Sequence, residues 1–265
     1  MLFYGKGIKK MKTLVWAHRG ASGYAPENTL EAFEKAVTMK ADGVELDVQL
    51  TADGKVVVAH DETIDRVSSG SGRILDYTLA QLKELRFNRT HPEYADAKIP
   101  TLREVYELLA PTGLTVNVEL KTGVYRYPGI EQACIRIAED AGMQDRVIYS
   151  SFRHESVMRL REFLPTARIG FLYADGWLEP VEYCRRWKAD ALHPDENTVD
   201  RELAQRCLQE GIELNIWTVN REESMRRLAD WGAHALITNY PDIARRVVDN
   251  KEQDRNGGQD VSKGF

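Results

Sequence analysis

A chain of 265 residues, 43% hydrophobic and 29% charged, has the composition of an ordinary globular protein and is long enough to bury a substantial core. Its formal charge of −5, from 36 Lys and Arg against 41 Asp and Glu, excludes a general attraction to nucleic acid or an anionic membrane, although local basic groups can still bind an anion. The N-terminal MLFYGKGIKKMKTLVW is interrupted by His18 and Arg19 too soon for a secretory core or a membrane span, so cytoplasmic residence without stable membrane insertion is expected.

The first apolar run, TLVWA at 13–17, predicts a strand that ends on His18 and Arg19. PENTLEAFEKAVTMKA then predicts a helix entered through Pro26, capped at Asn28 or Thr29, with Leu30, Phe33 and Val37 on one side. GVELDVQL at 43–50 is the second strand. Residues 51–99 are too long for an ordinary connection and carry the turn signals TADG, SSGSG and RTHPEYAD around a short KVVVAH run. They predict an insertion after the second strand, because few large apolar groups are available for an independent core. PTLREVYELLA at 100–110 predicts a helix with Thr101 as cap and Glu104 as its capping-box partner.

Six further strand-like runs follow at 115–120, 146–150, 167–172, 189–192, 212–219 and 234–238. They alternate with helical segments at 129–141, 153–163, 179–188, 199–210, 221–230 and 242–249. Eight strands alternating with helices predict an α/β protein of the (β/α)8 TIM-barrel class, as a single domain over 11–250 with a polar, fraying tail at 251–265. A doubly wound open sheet is the alternative, but the HRGASG glycines after the first strand lack the spacing and partner acid of a dinucleotide turn. Cys134, Cys184 and Cys207 are odd in number, lie in helix-like segments without metal-ligand spacing, and read as reduced structural thiols.

Strand periodicity puts Glu45, Asp47 and Gln49 on one face, opposite Val44, Leu46, Val48 and Leu50, and groups Asn117, Glu119 and Lys121 in the same way. In a barrel sheathed by helices the apolar set faces outward and the acids face the interior. Buried like charges at short range are destabilising without a compensating cation, and an all-oxygen set favours Mg²⁺ or Ca²⁺, with Mn²⁺ also admissible. The plainer reading is a set of strand-end salt bridges to Arg19 or Lys121. A second inward acid at Glu119 shifts the balance towards a metal site formed by Glu45, Asp47 and Glu119.

His18 ends the first strand, and His60 ends the VVVA run of the insertion, where it can reach the same mouth. Two histidines flanking a phosphorus centre supply a base for the nucleophile and an acid for the leaving oxygen. Arg19 offers a bidentate fork and Lys121 a mobile charge for phosphate oxygens.

At these positions the chain resembles the glycerophosphodiester phosphodiesterase family. The resemblance is carried by HRGASGYAPENTLEAF (18–33), VELDVQLTADGKVVVAHD (44–61), NVELK (117–121), SFRHE (151–155), IWTVN (216–220) and GAHALITNYP (232–241), in order along nearly the whole chain. It implies a TIM barrel with a small insertion after strand two, a divalent ion on Glu45, Asp47 and Glu119, acid–base chemistry by His18 and His60, and phosphate contacts from Arg19 and Lys121. Glu27 and Asn28 would arrange the mouth, and Trp217 would wall the substrate cavity with its indole N–H available to a polar partner. Asn239 and Tyr240 depart from the family pattern, where an acid or arginine pair often precedes the proline. The match starts after the first ten residues, which leaves Met1 and Met11 as two candidate starts.

The implied reaction is hydrolysis of a glycerophosphodiester to sn-glycerol 3-phosphate and an alcohol, with water or the glycerol 2-hydroxyl as nucleophile. Tyr125, Tyr127, Phe152 and Trp177 follow candidate strands and are expected to shape the leaving-group side or simply to cover the rim. The lack of an amphipathic anchor favours small water-soluble diesters. The rival readings are a phospholipase D-like or phosphoinositide phospholipase C-like lipid phosphodiesterase, and a non-catalytic phosphate-ligand binding protein. No oligomeric partner is legible.

Overall fold

Side chains that alternate between two environments at every second residue build a closed parallel barrel. The computed structural model describes residues 12–257, so the two candidate starts and the end of the predicted tail lie outside the described residues. In chain order the elements are β1 (Leu14–His18), α1 (Leu30–Thr38), β2 (Gly43–Leu50), β3 (Val56–Val58), α2 (Leu79–Glu84), α3 (Leu102–Leu109), β4 (Thr115–Leu120), α4 (Ile130–Asp140) and β5 (Val147–Ser151). They continue with α5 (His154–Phe163), β6 (Arg168–Tyr173), α6 (Pro180–Trp187), β7 (Ala191–Pro194), α7 (Arg201–Glu210), β8 (Glu213–Ile216), α8 (Glu222–Trp231), β9 (Ala235–Thr238) and α9 (Pro241–Gly257).

The sheet runs β1-β9-β8-β7-β6-β5-β4-β2 and closes through β1–β2, with every barrel pairing parallel. This is the (β/α)8 barrel the strand count predicts. The run at 212–219 yields only a short strand, because the chain leaves β8 after Ile216 and Trp217 forms a single bridge to Asp195. At the other end α9 continues to Gly257, beyond the boundary expected at 250.

Apolar strand residues such as Val15, Val44, Leu46, Val116, Val118, Ile169 and Leu236 are buried against the helices in one large core. The opposite face fills the barrel, with Trp16, Ile148, Ala191, Ala235 and Ile237 as an apolar plug. Two glycines make room inside it. A Cβ on Gly43 would stand 2.8 Å from the Trp16 ring, and one on Gly170 would stand 2.3 Å from Nε2 of His193. Cys134, Cys184 and Cys207 are buried and unbridged, and burial pushes the thiols of Cys184 and Cys207 up to about 12, as structural thiols require.

The helix starts follow local chemistry. Thr101 and Glu104 form the expected capping box on α3, with N–H···O distances of 3.2 and 2.7 Å. At α1 the cap is Thr29, whose hydroxyl accepts from the Ala32 N–H, while Asn28 takes a left-handed conformation at φ 57° and turns to other work.

The insertion opens with β3, antiparallel to the end of β2 in the register Val48↔Val58, Gln49↔Val57 and Leu50↔Val56. It carries a small cluster of its own, with Val57, Ala59, Ile64, Ile74, Leu82, Phe87 and Ile99 buried. Each of the larger side chains, Ala59 apart, contributes about 1.5–3 kcal/mol against leaving it exposed. That is enough to hold the Ala59–His60 turn firmly over the mouth. No described helix is long and apolar enough to cross a membrane.

Candidate active site

Parallel register brings the acids together. His18 pairs with Glu45 and Glu45 with Asn117, while Asp47 pairs with Glu119 one pleat higher, so these side chains converge at the C-terminal ends of β1, β2 and β4. Glu45, Asp47 and Glu119 are all buried, and each offers one oxygen within 4.8 Å of the others.

Asp47 is fully buried and accepts from Asn28 Nδ2 at 2.9 Å, with Arg19 Nε at 3.5 Å and Lys121 Nζ at 3.8 Å. Its Oδ1 has no hydrogen-bond partner. Glu45 accepts from the Arg19 backbone N–H at 3.0 Å, and Glu119 from Lys121 Nζ at 2.8 Å. Burial opposes the Asp47 charge, but Arg19 and Lys121 outweigh it and hold this carboxyl well below the usual range. Burial and the neighbouring Asp47 charge leave Glu45 and Glu119 raised. For Lys121, burial is overcome by Glu119 and Asp47, which push the ammonium up to about 12.

Two cations thus neutralise the cluster only in part, and two of its three carboxyls resist ionisation. A divalent cation removes that conflict, and the unpaired Asp47 oxygen is the acceptor it would use. The donor set is oxygen alone, suited to a hard ion. The residues therefore fit the predicted metal.

The histidines are each tethered through Nδ1, but to different chemistry. His18 Nδ1 lies 2.7 Å from Asn239 Oδ1, and its Nε2 lies 4.0 Å from Glu45. Burial, helped by the Arg19 charge, pushes His18 down to about 4. His60 Nδ1 lies 2.6 Å from the Asp61 carboxylate. The turn carrying it is pinned by Gln49, whose Nε2 donates to the carbonyls of Ala59, His60 and Asp61 at 3.0, 3.2 and 2.7 Å. Tyr127 in turn donates to Gln49 Oε1 at 2.7 Å.

These groups share one cavity with about 350 Å³ of empty space, in which His18, Arg19, Glu45, His60, Asn117 and Glu119 form the polar wall. Phe152, Leu172, Trp217 and Ile237 form the apolar wall. Arg19 adopts a left-handed conformation at φ 54°, and its Nη1 donates to Glu27 at 2.8 Å. Trp217 borders the cavity as expected, with Phe152 edge-on at 5.6 Å, and its indole N–H donates to the His193 carbonyl at 2.8 Å. The polar partner expected for the indole N–H is this carbonyl, supplied by β7 running beside it.

The aromatic rim is also smaller than expected. Tyr127 is buried with its hydroxyl on Gln49, and Tyr125 packs against it at 6.0 Å. Trp177 stacks on Tyr173 at 4.6 Å in a neighbouring groove that shares Phe152 with the cavity. Sequence reasoning missed Asp61 as the partner of His60, although VAHD places them side by side. It also left Asn117 without a role, although the residue shares the inward face of Glu119.

Residues 18–243 match the model of the glycerophosphoryl diester phosphodiesterase family. A glycerophosphodiester phosphodiesterase of Caldanaerobacter subterraneus subsp. tengcongensis is 44% identical over 90% of this chain and 98% of that protein. One from Bacillus altitudinis is 36% identical over 89% of this chain and 98% of its own length. Among solved structures, an Oleispira antarctica phosphodiesterase in complex with the product sn-glycerol-3-phosphate superposes with a TM-score of 0.84 at 28% identity, covering 90% of this chain and 97% of that one.

Proposed function

The chain belongs to the glycerophosphoryl diester phosphodiesterase family, and on that premise we propose that its cavity hydrolyses small water-soluble glycerophosphodiesters to sn-glycerol 3-phosphate and an alcohol, using one divalent cation and two histidines. The chain is thus an enzyme, a phosphoric diester hydrolase. The carrying observation is the cavity lined by two tethered histidines and by Glu45 and Glu119 of a buried, under-neutralised carboxylate triad.

Glu45, Asp47 and Glu119 hold the cation, Mg²⁺ or Ca²⁺ and also Mn²⁺ by ligand type. When bound, the ion supplies Lewis-acid stabilisation of the charge that develops on the phosphate oxygens. Arg19 and Lys121 meet the remaining non-bridging charge, and both are held charged by the acids around them. Asn28 keeps Asp47 oriented through its 2.9 Å amide contact.

The histidines divide the proton work. Burial, with the Arg19 charge beside it, keeps His18 neutral and able to accept the nucleophile's proton, whether water or the glycerol 2-hydroxyl attacks, while the Asn239 amide holds the ring through Nδ1. His60 rests through Nδ1 on the Asp61 carboxylate, which fixes the ring for proton donation to the leaving alkoxide. Phosphate binding alone requires neither group, which argues against a non-catalytic binder. Trp217 and Phe152 pack on the carbon skeleton of the substrate. A cytoplasmic setting fits such a substrate.

The test is steady-state release of glycerol 3-phosphate by His18→Ala and His60→Ala. Each is expected to lose about 10²- to 10⁴-fold in kcat. Turnover retained in both variants would remove the histidines from the reaction.

A further inference from the structure

Arg66 belongs to the insertion, outside every role given above, yet its guanidinium joins the two sides of the cavity. Nη1 and Nη2 donate to the two oxygens of Glu27 at 2.6 and 2.8 Å. Nε and Nη2 donate to the two oxygens of Asp61 at 2.7 and 3.2 Å. Both carboxylates are therefore gripped bidentately by one planar fork.

Each of those carboxylates already holds a group of the cavity. Glu27, between β1 and α1, accepts from Arg19 Nη1 at 2.8 Å, and Asp61 binds His60 Nδ1 at 2.6 Å. The result is a continuous chain from Arg19 through Glu27, Arg66 and Asp61 to His60. An ordinary surface ion pair joins one cation to one acid and contributes little. Here one cation holds two acids in fixed register, and removing it would leave two neighbouring carboxylates to repel each other. The segment that carries Arg66 is firmly seated, with Ile64 fully buried, the Ser68 N–H bonded to the Ile64 carbonyl at 2.9 Å and the Arg89 N–H bonded to the Val67 carbonyl at 3.1 Å.

We propose that Arg66 is a positioning residue, which sets His60 through Asp61 and Arg19 through Glu27 so that both face the same phosphate. The proposal rests on the histidine and arginine roles given above. It also gives the insertion a task in the reaction. A residue near the surface, contacting no substrate, aligns the proton donor with the phosphate clamp, and misplacement of such groups by about 1 Å is enough to cost on the order of 100-fold in rate.

The experiment compares Arg66→Ala, Arg66→Lys, Asp61→Asn, the Arg66→Ala/Asp61→Asn double variant and His60→Ala, measuring kcat and KM for a soluble glycerophosphodiester and the melting temperature with and without Mg²⁺. Arg66→Ala is expected to lose about 10- to 100-fold in kcat, with KM within about threefold and with the metal-dependent rise in melting temperature intact. Arg66→Lys recovers part of kcat, since it restores charge but not the fork. The double variant loses no more than the weaker single variant, because both cut one chain.

Wild-type kcat in Arg66→Ala, a loss confined to KM, or losses that multiply in the double variant would overturn the positioning role. So would loss of the metal-dependent melting rise, which would mean the acids themselves have shifted. His60→Ala at wild-type turnover would instead refute the histidine reading, and Arg66 would then have nothing to position.

Discussion

Glu45→Gln is expected to stabilise the metal-free protein and to abolish most of its stabilisation by metal. Glu45 is 5% exposed and shares its site with two other carboxylates, one oxygen of each lying within 4.8 Å of the others. Two unit charges at 4.8 Å repel by about 3.5 kcal/mol at an effective dielectric of about 20. Arg19 and Lys121 offset part of this, but the net effect of burial, Asp47 and Glu119 is a carboxyl raised well above its ordinary value. A raised acid costs the folded state stability at pH 8, where the unfolded glutamate is ionised. The cost fades as pH falls through the raised folded value and is gone below about 4, where an unfolded glutamate is protonated too.

Glutamine can still accept the Arg19 N–H, so the variant removes charge and leaves the hydrogen bond. The expected gain is about 1–3 kcal/mol in chelator at pH 8, or on the order of 5 °C in melting temperature. The assay is thermal unfolding of both proteins in chelator from pH 8 to pH 4, then with Mg²⁺, Ca²⁺ or Mn²⁺. Wild type should gain with metal by mass action, about 2.7 kcal/mol at a hundred times Kd, and the variant should gain far less. If Glu45→Gln melts below wild type in chelator at pH 8, or keeps the full metal response, the acids are not a frustrated metal site.

Two further substitutions probe the supports. Asn239→Asp puts a carboxylate where His18 now meets an amide at 2.7 Å, so the imidazole value should rise from about 4 and the acid limb of kcat/KM should move to higher pH; an unmoved limb would separate His18 from the base. Gly170→Ala drives a Cβ to 2.3 Å from the fully buried His193, and should cost about 1–3 kcal/mol in chemical denaturation; wild-type stability would mean that the barrel interior yields there.

The barrel and its acidic cluster were legible because strand period and charge cost are local signals. GVELDVQL and TVNVEL each state their inward residues, and parallel pairing needs only to set them side by side. The supports are not local. Asn239 reaches His18 across 221 residues, and Arg66 reaches Glu27 across 39. Asn28 and Thr29 are both good caps by residue type, and the choice fell to Thr29 because the Asp47 carboxylate takes the Asn28 amide. Trp217 borders the cavity and its N–H has the polar partner expected of it, but which partner was not legible, since the acceptor sits on a neighbouring strand. Tyr127 was expected at the rim, yet the unpredicted need to orient Gln49 draws it inward.

Metal-dependent hydrolysis is tested most directly by following glycerol 3-phosphate after exhaustive chelation, over soluble diesters of choline, ethanolamine, glycerol, serine and inositol and over phospholipid vesicles. Turnover of soluble diesters should vanish in chelator and return with Mg²⁺, Ca²⁺ or Mn²⁺. Full turnover in chelator, or turnover confined to vesicles, would contradict the assignment of Glu45, Asp47 and Glu119 to a cation that acts on small glycerophosphodiesters.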